Sequence, residues 1–172
     1  MLCRRARRGK TAYNGSPMEP MAARTGMEIS SAAFPDGGAI PVRHTCDAEG
    51  LLPALHISGV PAEAKSLTLI VDDPDSPNGT WVHWLRFNVD PSIKEIAEGG
   101  DVEGGMGKNT ASSLGWQAPC PQTGEHRYYF KLYALSSKLD LPDGVTAEDV
   151  ERAMDGRILA KASFMGRHRR ST

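Results

Sequence analysis

Ser66-Leu67-Thr68-Leu69-Ile70-Val71-Asp72 runs directly into Asp73-Pro74-Asp75-Ser76-Pro77-Asn78-Gly79. The first seven residues are rich in β-branched side chains and apolar on both faces, as a strand buried in the middle of a sheet must be. The next seven carry two prolines and Asn-Gly, so the chain turns there instead of continuing. The turn leads into a hairpin return. From Trp81 to Val89 the residues alternate, which puts Trp81, His83, Leu85, Phe87 and Val89 on one face and Val82, Trp84, Arg86 and Asn88 on the other.

Outward from this hairpin, His126 to Leu135 reads as another strand, with His126, Tyr128, Phe130 and Leu132 facing one way and Arg127, Tyr129, Lys131 and Tyr133 the other. One helix is well signalled: Thr146 caps it, Asp149 completes a capping box, Val150, Ala153 and Met154 form its apolar stripe, and Gly156 stops it. Ile158 to Met165 is a closing strand. Between Glu98 and Gly124 lies a long irregular segment with Gly99, Gly100, Gly104, Gly105, Gly107 and Gly115, a length that inside a compact domain points to function or disorder. These elements predict a mainly β protein, two packed antiparallel sheets with helical decoration.

A chain of 172 residues with 40% apolar and 24% charged residues fits one domain with a real core. Its 18 glycines and 12 prolines favour turns and β structure over a helical bundle. No run approaches the roughly 20 apolar residues of a membrane span, and the basic N-terminus leads into no apolar signal region. Cys3, Cys46 and Cys120 are odd in number and widely spaced, so a disulfide framework or zinc site is not expected and a reducing cytoplasm fits. Nine of the 20 basic residues lie before Met27 or after Gly166, leaving 11 against 20 acidic ones between them, a net charge near −9. An acidic body argues against nucleic acid or an anionic membrane as the partner. Residues 1–26 read as a basic, disordered extension and 27–168 as the domain. Met18, Met21 and Met27 all precede the first strand pattern, so a start at Met27 would lose nothing foldable.

Chemistry concentrates where the buried strand ends. Asp73 and Asp75 stand there, and His83 and His126 point inward from their own strands. Each alone has a plain explanation: an Asp that bonds local amides in a turn, or a histidine satisfied in the core. Together they suggest a pocket. A strand followed by Asp-x-Asp also resembles the first motif of haloacid-dehalogenase-type phosphatases, which use an Asp nucleophile and Mg²⁺. The context disagrees, because Asp75 leads through Pro77 and Gly79 straight into a strand, where that fold needs a helix. Pro77 also stands where that motif wants Thr or Val.

Asp73-Pro74-Asp75-Ser76-Pro77, Trp81-Val82-His83-Trp84, Pro119-Cys120-Pro121 and Gly124-Glu125-His126-Arg127-Tyr128, in this order, resemble the phosphatidylethanolamine-binding proteins, in particular the prokaryotic Raf-kinase-inhibitor-like (YbhB/YbcL-type) branch. The likeness spans Glu28 to His168. It implies a β-sandwich of antiparallel sheets with one or a few short helices, and a small surface pocket for phosphate, phosphorylated headgroups or other small anions. On the matching positions Asp73, Asp75, Pro77, Trp81, His83, Pro119, His126 and Tyr128 would bind the ligand. The likeness implies no catalytic residues, metal or cofactor. It adds regulation of a kinase or another protein partner as an expectation, and leaves a homodimer open. The chain departs from the pattern at Ala118 (usually Gly), Gln122 (commonly Pro), Leu52, Ile57, and Asn109-Thr110-Ala111-Ser112, which replaces an Asn-Asp-aromatic-Gly run.

Two carboxylates are poor neighbours for a phosphate, since unit charges about 4 Å apart repel by about 4 kcal/mol at an effective dielectric of 20. The reading that resolves this has His83 and His126 donate to the anion, helped by amides of the Gly-rich segment, while an Asp orients an imidazole or receives an ammonium group. Pro77, Pro119 and Trp81 would form a stiff wall. Two alternatives stand beside this binding module: a hydrolase with His83 or His126 as base, and a structural interaction protein with an incidental pocket. No G-x-S-x-G elbow, P-loop or H-E-x-x-H motif supports the hydrolase. Cys120 reads as a loop residue and not as a partner of His126.

Overall fold

The computed structural model describes residues 26–171; residues 1–25 of the basic extension, with Cys3, lie outside them. Among the described residues nine strands and one α-helix occur in the order β1 (Glu28–Ser30), β2 (Gly38–Ala39), β3 (Leu55–Ser58), β4 (Ser66–Asp73), β5 (Trp81–Val89), β6 (Glu95–Ile96), β7 (Gly105–Met106), β8 (Glu125–Leu135), α1 (Ala147–Met154) and β9 (Ile158–Arg169). A six-stranded sheet has the order β2-β9-β8-β4-β5-β7, and a three-stranded sheet the order β1-β3-β6. The pairs are antiparallel as expected, with one exception: β2 runs parallel to β9.

The apolar run at 66–73 is the central strand, every residue of it buried, flanked by β5 and β8. Leu67, Leu69 and Val71 meet Ile29, Leu55, Ile57 and Ile96 of the small sheet, together with Phe130, Leu132 and Phe164. On the other face Ile70 packs with Leu85, Phe87, Val150 and Met154 beneath α1. A strand apolar on both faces is therefore needed: the large sheet is covered by a sheet on one side and a helix on the other. The helix starts at the Thr146–Asp149 capping box, and Gly156 beyond its end has φ +74°.

Simple alternation fails in β5. Trp84 and Val89 belong to the core between the sheets, whereas Leu85 and Phe87 lie under the helix. The pairing of β4 with β5 shifts register between Val71 and Asp72 and again between Leu67 and Leu69. Each shift adds a residue to β5 and reverses the face presented by the residues after it. Asn88 marks the second, with φ +53° and its side chain bonded to both backbone groups of Leu139. As a result His83 shares the inter-sheet side with Trp84, and its ring meets Tyr128 and Trp116.

The cysteine expectation is overturned. Cys46 and Cys120 form a disulfide, with Cα atoms 5.3 Å apart and a sequence separation of 74. Wide spacing in sequence is no obstacle once β2, β9 and β8 pair and bring the two loops together, and the pairing removes the ground on which the cysteine count favoured a reducing compartment. Among the described residues no helix is long and apolar enough to cross a membrane.

The Gly-rich segment has a packing role. A Cβ at Gly105 would stand 2.2 Å from the Phe87 ring, and one at Gly107 2.1 Å from Leu85. These glycines let the segment close over the hairpin, with Gly105–Met106 pairing to β5 as β7.

Candidate functional site

Asp73 ends β4, Trp81 and His83 begin β5, and His126 and Tyr128 begin β8, so the register of three adjacent strands gathers them at one end of the large sheet. There they line a cleft of about 410 Å³ with Ser76, Pro77, Asn78, Gln117, Ala118, Cys120, Pro121, Gln122 and Thr123. Six of the eight residues expected at the site thus converge: Asp73, Pro77, Trp81, His83, His126 and Tyr128.

Asp75 and Pro119 do not line it. Asp75 turns outward and grips Arg127, its Oδ2 accepting the Arg127 amide and Nε and its Oδ1 accepting a guanidinium nitrogen, each at 2.9 Å. Pro119 is buried, its carbonyl taking the Cys46 amide, and Pro121 supplies the wall instead. The glycines expected to offer amides are absent from the lining; the segment from Gln117 to Thr123 stands in their place. Its signal in the sequence is the Pro-Cys-Pro turn, whose flanks give no hint of which residues face inward.

The floor is held by short bonds. Asp73 Oδ1 accepts the Asp75 amide at 2.8 Å, and its Oδ2 lies 2.6 Å from His126 Nδ1. His83 Nδ1 donates to the Gln117 carbonyl at 2.8 Å, while the Gln117 amide donates back to the His83 carbonyl. A carbonyl and a carboxylate can only accept, so both imidazoles carry their proton on Nδ1. Neither Nε2 has a hydrogen-bond partner in the protein among the described residues. Burial lowers the His83 pKa, opposed by the bond to Gln117 and the charge of Asp73. Donation by a neutral ring to an anion requires Nε2 to gain a proton, a condition that the sequence alone does not reveal.

Tyr128 is fully buried, and its hydroxyl has no hydrogen-bond partner among the described residues. Burial, with the charge of Asp73 second, pushes its phenol well above the usual tyrosine range, so it remains a donor. The rim is tied to β5: Trp81 Nε1 donates to Gln117 Oε1, and the Val82 amide donates to Thr110 Oγ1. Ser112, where the resemblance expects glycine, keeps a left-handed backbone at φ +66°. Asn109 braces that turn by accepting from the Ser113 amide and donating to the Gly115 carbonyl. No three His, Cys, Asp or Glu side chains among the described residues converge as metal ligands do.

The outward pair has a consequence for acid stability. Arg127, chiefly through its side-chain bonds, holds the Asp75 carboxyl down from 3.8 to about 2. The folded value is depressed, so the pair contributes above the ordinary carboxylate pKa and loses its contribution as pH falls from about 4 through 2. Arg127 is 48% exposed, and screening limits the effect to about 1 kcal/mol. Asp75→Asn should lower urea stability by that amount at pH 7 and by almost nothing at pH 2. Equal losses at both values would show that the ion pair is not the cause.

A family model described as phosphatidylethanolamine-binding protein matches residues 30–169. A UPF0098 protein of Methanothermobacter thermautotrophicus is 45% identical over 150 residues, covering 84% of this chain and 99% of that protein. One from Chlamydia trachomatis is 45% identical over 145 residues, covering 81% and 97%. The crystal structure of a phosphatidylethanolamine-binding protein homologue from Chlamydia trachomatis superposes with a TM-score of 0.83 at 43% identity, covering 86% of this chain and 99% of that one. Escherichia coli YbcL, at 24% identity and a TM-score of 0.77, covering 84% and 99%, shares the fold. The chain belongs to the phosphatidylethanolamine-binding protein family.

Proposed function

We propose that the cleft binds a small anion, phosphate or a phosphate-bearing group, and does not turn it over. The observation that carries this reading is the buried hydroxyl of Tyr128, a residue of the cleft lining, which has no partner among the described residues. A buried donor left unsatisfied costs about 1–3 kcal/mol, a cost that a bound oxygen relieves. The two imidazoles with open Nε2 atoms stand beside it, and Asp73 keeps the His126 ring oriented. Gln122 and Thr123 on the exposed rim are where a protein partner, a kinase among the candidates, would sense whether the cleft is filled.

The hydrolase alternative draws on the Asp73–His126 bond, which has the geometry of a base and its orienting carboxylate. Cys120 cannot serve it as a nucleophile, because its sulfur is committed to Cys46. Titrating the protein with inorganic phosphate by NMR should give saturable shifts at the ends of β4, β5 and β8, lost in His126→Ala. Shifts that persist in the variant, or that never saturate, would refute the site. Steady release of phosphate from p-nitrophenyl phosphate would favour the hydrolase.

A further inference from the structure

We propose that the cleft selects phosphate that carries its own proton, taking inorganic phosphate and phosphomonoesters in preference to phosphodiesters and sulfate. This rests on the reading of the cleft as an anion site. The floor offers mostly acceptors. His83 Nδ1 is spent on the Gln117 carbonyl and His126 Nδ1 on Asp73, so a neutral ring at either position presents a lone pair at Nε2. Asp73 adds a carboxylate that is 4% exposed. Tyr128 is the one uncommitted buried donor lining the cleft among the described residues.

Sulfate and a phosphodiester bring acceptor oxygens only. To bind them through the His83 ring, the cleft must take a proton from solvent onto an Nε2 atom where burial disfavours it. A phosphomonoester has a second pKa of about 6, so at pH 6 about half of it carries a P–OH that can donate to an imidazole or to Asp73. Its singly protonated form also carries less charge toward Asp73. The charged groups facing His83 are Asp73 and His126 across the cleft, with Asp72 on the far face of β4, where Lys131 holds it at 2.7 Å. The carboxylates supply no proton, and a charge on His126 opposes one on His83. Sites built on complementary hydrogen bonds discriminate strongly, because a mismatched ligand leaves buried groups unpaired.

The two sources of phosphate chemistry separate on the same ground. The headgroup of an intact phospholipid is a diester without an ionisable P–OH at neutral pH, whereas a free phosphorylated small molecule is a monoester. The test is an NMR titration of the full chain at pH 6 with inorganic phosphate, sulfate, O-phosphorylethanolamine and glycerophosphorylethanolamine. Phosphate and the monoester should bind roughly tenfold or more tightly than sulfate and the diester. Raising the pH through about 6 should weaken phosphorylethanolamine, which loses its last P–OH there, and weaken inorganic phosphate much less, because its dianion keeps one. Equal affinities across the four ligands would overturn the selectivity while leaving an anion site in place. No saturable binding by any of them would overturn the anion site and the selectivity together.

Discussion

Reduction of the Cys46–Cys120 disulfide, or its replacement by Cys46→Ser with Cys120→Ser, is expected to lower stability by about 4 kcal/mol. The bond joins residues separated by 74 positions, and chain entropy for a loop of that length gives about 4 kcal/mol, acting through the unfolded ensemble. The native state should change little. The Cys46 amide still donates to the Pro119 carbonyl, and Trp116 Nε1 still donates to the Gly50 carbonyl. Both loops therefore remain tied without the covalent link. At roughly 2–4 °C per kcal/mol for a domain of this size, the thermal midpoint should fall by about 8–16 °C. Both sulfurs belong to exposed residues, so a reductant can reach them, and thiol titration reports when reduction is complete. The double variant should then match the reduced wild type and ignore reductant. A reduced wild type with both thiols titratable and an unchanged midpoint would show that the bond contributes nothing. Phosphate affinity should move only a few-fold, since Cys120 contributes to the wall and not to the floor.

How far the sequence can be read depends on which interactions are local. The central strand, the turn at Asp73–Gly79, the capping box at Thr146 and the inward face of β8 are all legible, because each depends on the period or turn chemistry of a few consecutive residues. Alternation puts Trp84 and Leu85 on the wrong faces for a reason that a period of two cannot hold: a bulge inserts a residue, and the register between β4 and β5 is a property of the pair. The disulfide is hidden because proximity of Cys46 and Cys120 exists only after three strands have paired. In the site, Asp73, His83 and His126 sit on strand ends and are found. Asp75 and Pro119 lie in turns, where a rotation of one residue decides whether a side chain faces a cleft or a neighbour. Asp75 meets Arg127, and Pro121 takes the place of Pro119. The bonds of both Nδ1 atoms are likewise invisible in the sequence, although they decide what the imidazoles can offer a ligand.

Asp73 is the residue whose change should separate stability from selectivity. Asp73→Ala removes the acceptors of the Asp75 amide and of His126 Nδ1. It leaves His126, 8% exposed, with an unpaired nitrogen, at a cost of about 3 kcal/mol. The ring also loses its orientation, so phosphate affinity should fall roughly tenfold or more, the equivalent of one oriented hydrogen bond. Asp73→Asn is the informative partner. Its Oδ1 can still accept from the Asp75 amide, which turns the side-chain NH₂ toward His126. An NH₂ can only donate, so Nδ1 must accept and the imidazole proton moves to Nε2. The cleft then gains a donor without taking up a proton. Asp73→Asn should therefore lose less stability than Asp73→Ala, and should bind sulfate relative to phosphate several-fold better than the wild type does. Imidazole ¹⁵N shifts would report the tautomer directly. A wild-type ratio of phosphate to sulfate affinity in a variant whose His126 proton has moved to Nε2 would show that the tautomer does not set the preference, because the donor it adds at Nε2 is the one that sulfate lacks in the wild type.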